Sequence, residues 1–323
     1  MYFDYSQQMN KISKIKLTAN ISNLTIVNSL PKFHRQQYLL ALLELSGGTL
    51  SIMHLQKLLF LAEKVTNNEY YHFIPFHYGC YSFQAQADIE SLELQGWLTI
   101  DGNSITIKNN IVQYLKQSFT RPIIFTIAKY NAYSTTEILL YIFEKYPYFS
   151  IKSKNNNRVL RDETDQSISQ NEIYLIHQKS ILFTLGYEGI TLEQYINLLI
   201  KNNIKLLCDV RSNPISRKFG FSKKTLSNVL QQIDIEYIHF PELGVESKKR
   251  INLETKQDYA RLFVSYRKSL SQKFLEVSKI MQLVERYGSI ALTCFEKQHK
   301  ECHRHCLSDF ILQNSNSIKV VHL

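Results

Sequence analysis

The sequence predicts an α/β chain: a C-terminal, mostly parallel sheet with helices on both faces, plus an N-terminal helical, winged-helix-like domain. Three features predict it. From Ile181 onward, short apolar segments of strand length alternate with stretches of helical period. Such alternation with right-handed crossovers builds a parallel sheet covered on both sides. Before Pro147 the pattern is helical, with a Gly-Gly turn and one short hairpin. Between the two, Ser150 to Lys179 is rich in Asn, Asp, Gln and Ser and poor in apolar residues, the composition of an interdomain connection. The boundaries expected are a polar arm over 1–31, the winged-helix-like domain over 32–150, a polar linker over 151–180 and the α/β domain over 181–323. Two domains suit 323 residues, since domain sizes cluster near ~100–150 residues.

The elements follow in order. Arg35 to Leu45 carries Tyr38, Leu39, Leu42, Leu43 and Leu45 at helical spacing, and Gly47-Gly48 stops it. Ser51 to Val65 is a second helix with Ile52, Leu55, Leu58, Leu59 and Ala62 on one face, so the pair reads as helix-turn-helix. Ser82 to Gln95 is a third, ended by Gly96. Trp97-Leu-Thr-Ile, Asp101-Gly-Asn and Ser104-Ile-Thr-Ile make a hairpin around an Asp-Gly turn. Ser134-Thr135-Thr136-Glu137 has the form of a capping box, opening a helix that Pro147 closes off. In the C-terminal half, strands are expected at Ile181–Leu185, Lys205–Val210, Tyr237–Phe240, Ile290–Cys294 and Ile318–His322. Helices are expected at Thr191–Lys201, Lys223–Gln232, Cys302–Gln313 and, as one long region, Asp258–Arg286.

Composition bounds the function. Hydrophobic residues make up 44% and charged residues 20%, which excludes a disordered chain. The net charge of +10 favours polyanionic partners, nucleic acid above all. Five cysteines, an odd number without a short disulfide framework, suit reduced thiols and a cytoplasmic location. No signal peptide is visible at the start, and runs such as Leu39–Leu43 and Leu58–Ala62 are too short to span a bilayer, so no membrane partner is expected.

Ligands of open parallel sheets bind outside the carboxyl ends of the strands. That rule selects Leu185 to Gly189, Asp209 to Pro214 and Cys294 to Glu296. Gly186 and Gly189 permit a tight turn before a helix start that could hold an anion. Asp209 and Arg211 point the same way along an extended segment; they can bind opposite features of one ligand or pair with each other. Glu296, just past a buried strand, can act as acid, base or nucleophile, or can cap a helix or pair with an arginine. Cys302-His303-Arg304 falls at a helix start, where the dipole favours anions and lowers a thiol's pKa. Arg304 there could clamp phosphate. Cys294, His299, Cys302, His303, His305 and Cys306 raise the question of zinc, but their spacing is not that of repeated Cys-x₂-Cys pairs. No metal ligand and no cofactor is assigned. Between Lys201 and Arg250 ten Lys and Arg face five Asp and Glu, with Phe219, Phe221, Tyr237 and His239 interleaved. This is either a solvated basic face or a phosphate-backbone surface with stacking faces.

Those residues carry a resemblance. With Leu185-Gly186-Tyr187, Asp209-Val210-Arg211, Pro214-x-Ser216-Arg217, Tyr237-x-His239-x-Pro241-x-Leu243-Gly244, Cys294-x-Glu296 and Cys302-His303-Arg304, Ile181 to Leu323 resembles the family catalogued as domain of unknown function 488. Phe295 departs from the small residue usual between that family's Cys and Glu. The resemblance implies the fold and the site and supplies no reaction. Lys32 to about Lys154 resembles the Panacea antitoxin-like, phage-associated family through Leu55-Gln56-Lys57-Leu58-Leu59-Phe60, Phe73-x-Pro75-x-x-Tyr78-Gly79-x-Tyr81-Ser82, Leu92 to Gly96 and Tyr146-Pro147. Cys80 replaces the usual Pro. That family implies toxin neutralisation and a phage-defence setting.

The expectation is a nucleic-acid-acting enzyme, most simply a DNA glycosylase-like hydrolase in a defence-like context. Asp209 and Glu296 are its catalytic candidates. Tyr187, Arg211, Ser216, Arg217, His239, Cys302, His303 and Arg304 are its substrate- or phosphate-binding candidates. DNA is the expected partner, with a protein partner open to the N-terminal domain. The alternatives are a non-catalytic DNA-binding regulator or antitoxin-like module, and a thiol-dependent enzyme using Cys302 or Cys294.

Overall fold

Leucine and aromatic side chains at helical spacing decide the N-terminal part. The structure is a computed structural model that describes residues 30–66, 69–154, 180–250 and 254–323. The expected arm and linker lie outside these residues, except for their inner ends. Helix α1 (His34–Leu45) and helix α2 (Ile52–Thr66) bury Tyr38 to Leu43 and Leu55 to Ala62 in one core. Gly47 and Gly48, both at positive φ, turn the chain between them. The turn also holds strand β1 (Thr49–Ser51), which the sequence does not announce because three residues are too few for a period. Strands β2 (Ile74–Phe76) and β3 (Gly79–Tyr81) form a small antiparallel pair. Helix α3 (Phe83–Leu94) starts where the Ser82 hydroxyl accepts the Ala85 N–H. The expected hairpin is β4 (Leu98–Asp101) and β5 (Ser104–Ile107), and β5 also pairs with β1 in the antiparallel order β1-β5-β4. Helix α4 (Gln117–Tyr130) was not foreseen, since Pro122 lies inside it; burial of Ile123, Thr126 and Tyr130 holds it in place. Helix α5 (Thr135–Lys145) opens on the expected capping box of Ser134 and Glu137. This part is therefore a mixture of helices and small antiparallel sheets.

The C-terminal part is an α/β unit around a five-stranded parallel sheet. Its strands are β6 (Ser180–Gly186), β7 (Leu206–Asp209), β8 (Glu236–His239), β9 (Ser289–Cys294) and β10 (Ile318–His322), in the order β10-β6-β9-β7-β8. Alternate residues serve two apolar clusters. Leu182, Leu206, Cys208, Ile290 and Leu292 join one, and Phe183, Leu185, Leu207 and Ala291 join the other. Helices α6 (Leu192–Lys201) and α7 (Lys223–Gln231) cover the second cluster. Helices α8 (Lys256–Leu270), α9 (Phe274–Tyr287) and α10 (His303–Asn314) cover the first. The single helix expected over Asp258–Arg286 is broken by a 3-10 turn at Ser271–Lys273. An unbroken helix of that span would run about 45 Å, far past a six-residue strand; the break lets both halves lie on the same core.

The two parts touch. Ile74, Phe76 and Phe83 pack against the Tyr195–Ile196 cluster. Asn197 donates to the Phe73 carbonyl at 2.8 Å and accepts from the Tyr148 hydroxyl at 2.7 Å. Buried Glu193, in the first turn of α6, accepts from the Gln84 N–H at 2.8 Å and from the Ser82 hydroxyl at 3.3 Å. A carboxylate of one part thus sits on the positive end of α3 in the other. Among the described residues no helix is long and apolar enough to cross a membrane.

Candidate functional site

The register sets the ends of β6, β7, β8 and β9 side by side: Gly186 pairs with Cys294, and Asp209 with both Thr293 and His239. The order in which successive strands are added across the sheet reverses here, because β9, which follows β8 in the chain, inserts between β6 and β7. Three groups of side chains meet at this rim.

The first is built on Asp209, which is fully buried. Of the two roles open to Asp209 and Arg211, the geometry is mutual pairing. Arg211 Nε donates to Asp209 Oδ1 at 2.9 Å, and its Nη2 to Oδ2 at 2.5 Å. Arg211 Nη1 donates to the Tyr187 hydroxyl and to the Phe221 carbonyl, both at 2.8 Å. The Tyr237 hydroxyl donates to Asp209 Oδ2 at 2.6 Å. The Tyr187 ring stacks on Phe221 at 4.2 Å and meets Phe295 edge-on at 5.4 Å. His239 Nε2 donates to the Arg211 carbonyl at 2.7 Å, while its Nδ1 accepts from Lys223 at 3.2 Å. Gly244 is required below: a Cβ there would overlap the backbone of Ser212.

The second group is Cys294, Glu296, Cys302 and His303. The loop after β9 is held by Arg304, whose buried guanidinium donates to the Glu296 carbonyl at 2.5 Å and to the Lys297 carbonyl at 2.9 Å. Gly186 lets this loop close on β6, since a Cβ there would collide with the Glu296 carbonyl oxygen. Cys302 is the N-cap of α10, so His303 follows at its first position. His303 Nε2 lies 3.0 Å from the Val210 carbonyl and must donate to it. Its Nδ1 lone pair then faces Cys302 Sγ at 3.7 Å and Cys294 Sγ at 3.8 Å. Cys294 Sγ is 3.2 Å from Glu296 Oε2, a contact that places one proton between the two. The hydrogen bond from Cys302 pulls the Cys294 thiol well below its usual value. Burial, then the Cys294 charge, pushes the Cys302 thiol well above it and also raises the Glu296 carboxyl. Tyr266 braces the His303 ring edge-on at 5.2 Å, its hydroxyl donating to the Leu243 carbonyl at 2.6 Å.

The third group is the basic loop after β7. Ser216 is half-buried and accepts the Lys218 N–H at 3.2 Å, Arg217 is exposed, and Lys218 Nζ donates to the Tyr187 carbonyl at 2.6 Å. A pocket of about 300 Å³ opens here, lined by Tyr187, Arg211, Ser216, Arg217, Cys294 and Phe295. A smaller one of about 110 Å³ opens on the other side of the cluster, lined by Phe263, Glu296 and His303 among others.

The structure thus brings the catalytic and binding candidates to one rim, in two distinct settings. Asp209, Arg211, Cys302, His303 and Arg304 are buried, while Arg217 and Phe295 face solvent. Of the six Cys and His considered for zinc, three converge. His305 is tied to the Cys302 carbonyl at 2.6 Å and to Arg267 at 3.0 Å; His299 stacks on His322; Cys306 belongs to the apolar core. Sequence reasoning offered Tyr237 only as a stacking face of the basic surface, outside the catalytic and binding candidates, and passed over Tyr266. Tyr237 was within reach, since strand alternation puts it on the same side as His239; Tyr266, inside a helix, carried no such signal.

Residues 191–311 match the family described as "Domain of unknown function DUF488". The match covers the site from Asp209 to Arg304 and leaves Tyr187 just outside. It does not reach the N-terminal part, and nothing in the comparisons supports the resemblance of that part to the Panacea family. No curated protein matches the chain.

Proposed function

We propose that the DUF488 domain of this chain is a hydrolase that acts on nucleic acid, cleaving the N-glycosidic bond of one nucleotide seated in the pocket beside Cys294. The placement of Glu296 carries this reading: it stands past the end of β9 and lines the smaller pocket, against Cys294, which lines the larger one, on a loop fixed by Arg304 and Gly186. A carboxyl so held suits acid–base work. In the reaction, water oxygen bonds to the sugar C1′ as the C1′–N bond breaks. Glu296 takes the water proton and passes it to the departing base, which leaves with the bonding pair. Asp209, with both oxygens engaged, holds Arg211 and Tyr237 in place. Arg304, fully buried, holds the Glu296 loop, so phosphate falls to exposed Arg217 and the neighbouring lysines. Exposed Phe295 and Phe219 offer stacking faces. Charge supports the substrate class: residues 180–323 hold 21 Lys and Arg against 14 Asp and Glu, while 30–154 hold 11 against 9.

Apart from the β2–β3 pair inserted between α2 and α3, the order α1, β1, α2, α3, β4–β5 hairpin is that of a winged helix. Yet α3, the helix a winged helix would place in a DNA groove, carries Asp88, Glu90 and Glu93 and no Lys or Arg. This favours a protein partner, over DNA, for the N-terminal part.

The test is incubation of the pure protein with single- and double-stranded DNA, plain and phage-modified, beside Glu296→Gln. Released bases are followed by mass spectrometry and abasic sites by alkaline cleavage. Release that vanishes in the variant supports the reading. A base one mass unit heavier and still attached would move the reaction to deamination. Equal binding by both proteins without product would leave a DNA-binding regulator.

A further inference from the structure

We propose that Cys294, Cys302 and His303 bind one zinc ion, with the fourth position open towards Glu296. The three ligand atoms all lie within 4.8 Å of one another and are buried. Tetrahedral zinc with its usual bond lengths separates sulfur from nitrogen by about 3.6 Å. The observed separations are 3.7 and 3.8 Å from the sulfurs to Nδ1. An ion therefore fits with shifts of a few tenths of an ångström.

A second observation concerns the histidine. Metal-bound imidazoles donate their other N–H to a carbonyl or carboxylate, which fixes the tautomer and the ring plane. His303 does this through Nε2 and the Val210 carbonyl, and Tyr266 braces the ring from the side. The nitrogen left for a ligand points at both sulfurs. The other nearby histidine, His305, has both ring nitrogens engaged and is excluded.

The charges also balance. Two thiols lose their protons to solvent as the ion binds, so two thiolates and a neutral imidazole offset its double positive charge in a buried place. Three protein ligands with an open position are the arrangement of catalytic rather than structural zinc. The ion would polarise a water there, and Glu296 would take that water's proton. Binding itself does not rest on the nucleic-acid reading.

The experiment uses the full chain purified under a phosphine reductant, freed of metal with a chelator and dialysed against zinc or cobalt(II) alone. Metal content is measured by mass spectrometry, and the cobalt form by absorption. The expected result is about one ion per chain, with thiolate-to-cobalt bands in the near ultraviolet and intense visible bands of a four-coordinate site. Cys302→Ser and His303→Ala should lose both, while Cys306→Ser and Glu296→Gln keep them. Should the ligand variants fail to fold, X-ray absorption of the wild-type zinc form must still read two sulfur and one nitrogen donor. A folded, reduced chain that holds no zinc and shows no cobalt–thiolate bands overturns the site; loss of metal in Glu296→Gln overturns the open position. Zinc without base release leaves this site standing and removes the proposed reaction. Base release by the metal-free chain leaves the reaction standing and removes the ion's part in it.

Discussion

Arg304 is the largest fully buried side chain among the described residues, and its guanidinium meets two backbone carbonyls instead of a carboxylate. A buried cation used this way fixes a loop, and the loop is the one that presents Glu296. Gly186 completes the clamp from the other side. Gly186→Ala should therefore displace the loop and cost about 2–3 kcal/mol, read as a lowered midpoint in urea. The Asp209–Arg211 pair makes a different prediction. Removing the charge of Asp209 leaves a guanidinium buried with one partner short, at a cost of about 3–5 kcal/mol. Asp209→Asn should show that loss in an unfolding curve whether or not the variant still turns over. A purely catalytic Asp209 would lower turnover and leave the midpoint where it was.

At the scale of elements, α2 offers a test by pH. Glu63 is buried on it and accepts the backbone N–H groups of Tyr70 and Tyr71 at 3.3 Å each. Burial pushes its carboxyl up from 4.5 to about 7. The folded state thus holds this proton more tightly than the unfolded chain, so the contribution is complete below about 4.5 and is lost as pH rises through about 7. The loss is about 1–2 kcal/mol once solvent screening is allowed for. Unfolding free energies from urea curves at pH 5 and pH 8 should differ by that amount, and Glu63→Gln should remove the difference. Legibility also differs by element. The five parallel strands and the capped helices could be read because period, caps and turns agree locally. The α8–α9 break could not, because it answers to the size of the sheet beneath. Helix α4 was hidden by Pro122, whose local penalty is outweighed by tertiary burial of Ile123 and Tyr130. At the site, chain position near strand ends pointed to Tyr187, Asp209, Arg211 and Glu296, and a helix start pointed to Cys302, His303 and Arg304. Which were buried anchors and which faced the pocket depended on contacts between segments far apart in sequence.

At the scale of the molecule, the two parts share Glu193. Its carboxyl, raised by burial, sits in their contact and is bound by the start of α3. Glu193→Ala removes the acceptor of two donors there and should loosen the docking while leaving both cores intact. Calorimetry should show one transition splitting or broadening, with the N-terminal core melting apart from the parallel sheet. The sheet itself has an order of assembly written into it. Strand β9 pairs with both β6 and β7, which do not pair with each other. As the chain leaves the ribosome, β6 and β7 emerge with open edges facing a gap that only β9 fills. Cys294, Glu296, Cys302 and His303 all come after that strand has begun to form. A nascent or truncated chain ending before Ser289 therefore has two unsatisfied strand edges and lacks the Cys294, Glu296, Cys302 and His303 cluster. Such edges template association with other chains, so fragments of this kind should be prone to aggregate, and the rim can exist only once synthesis has passed Arg304.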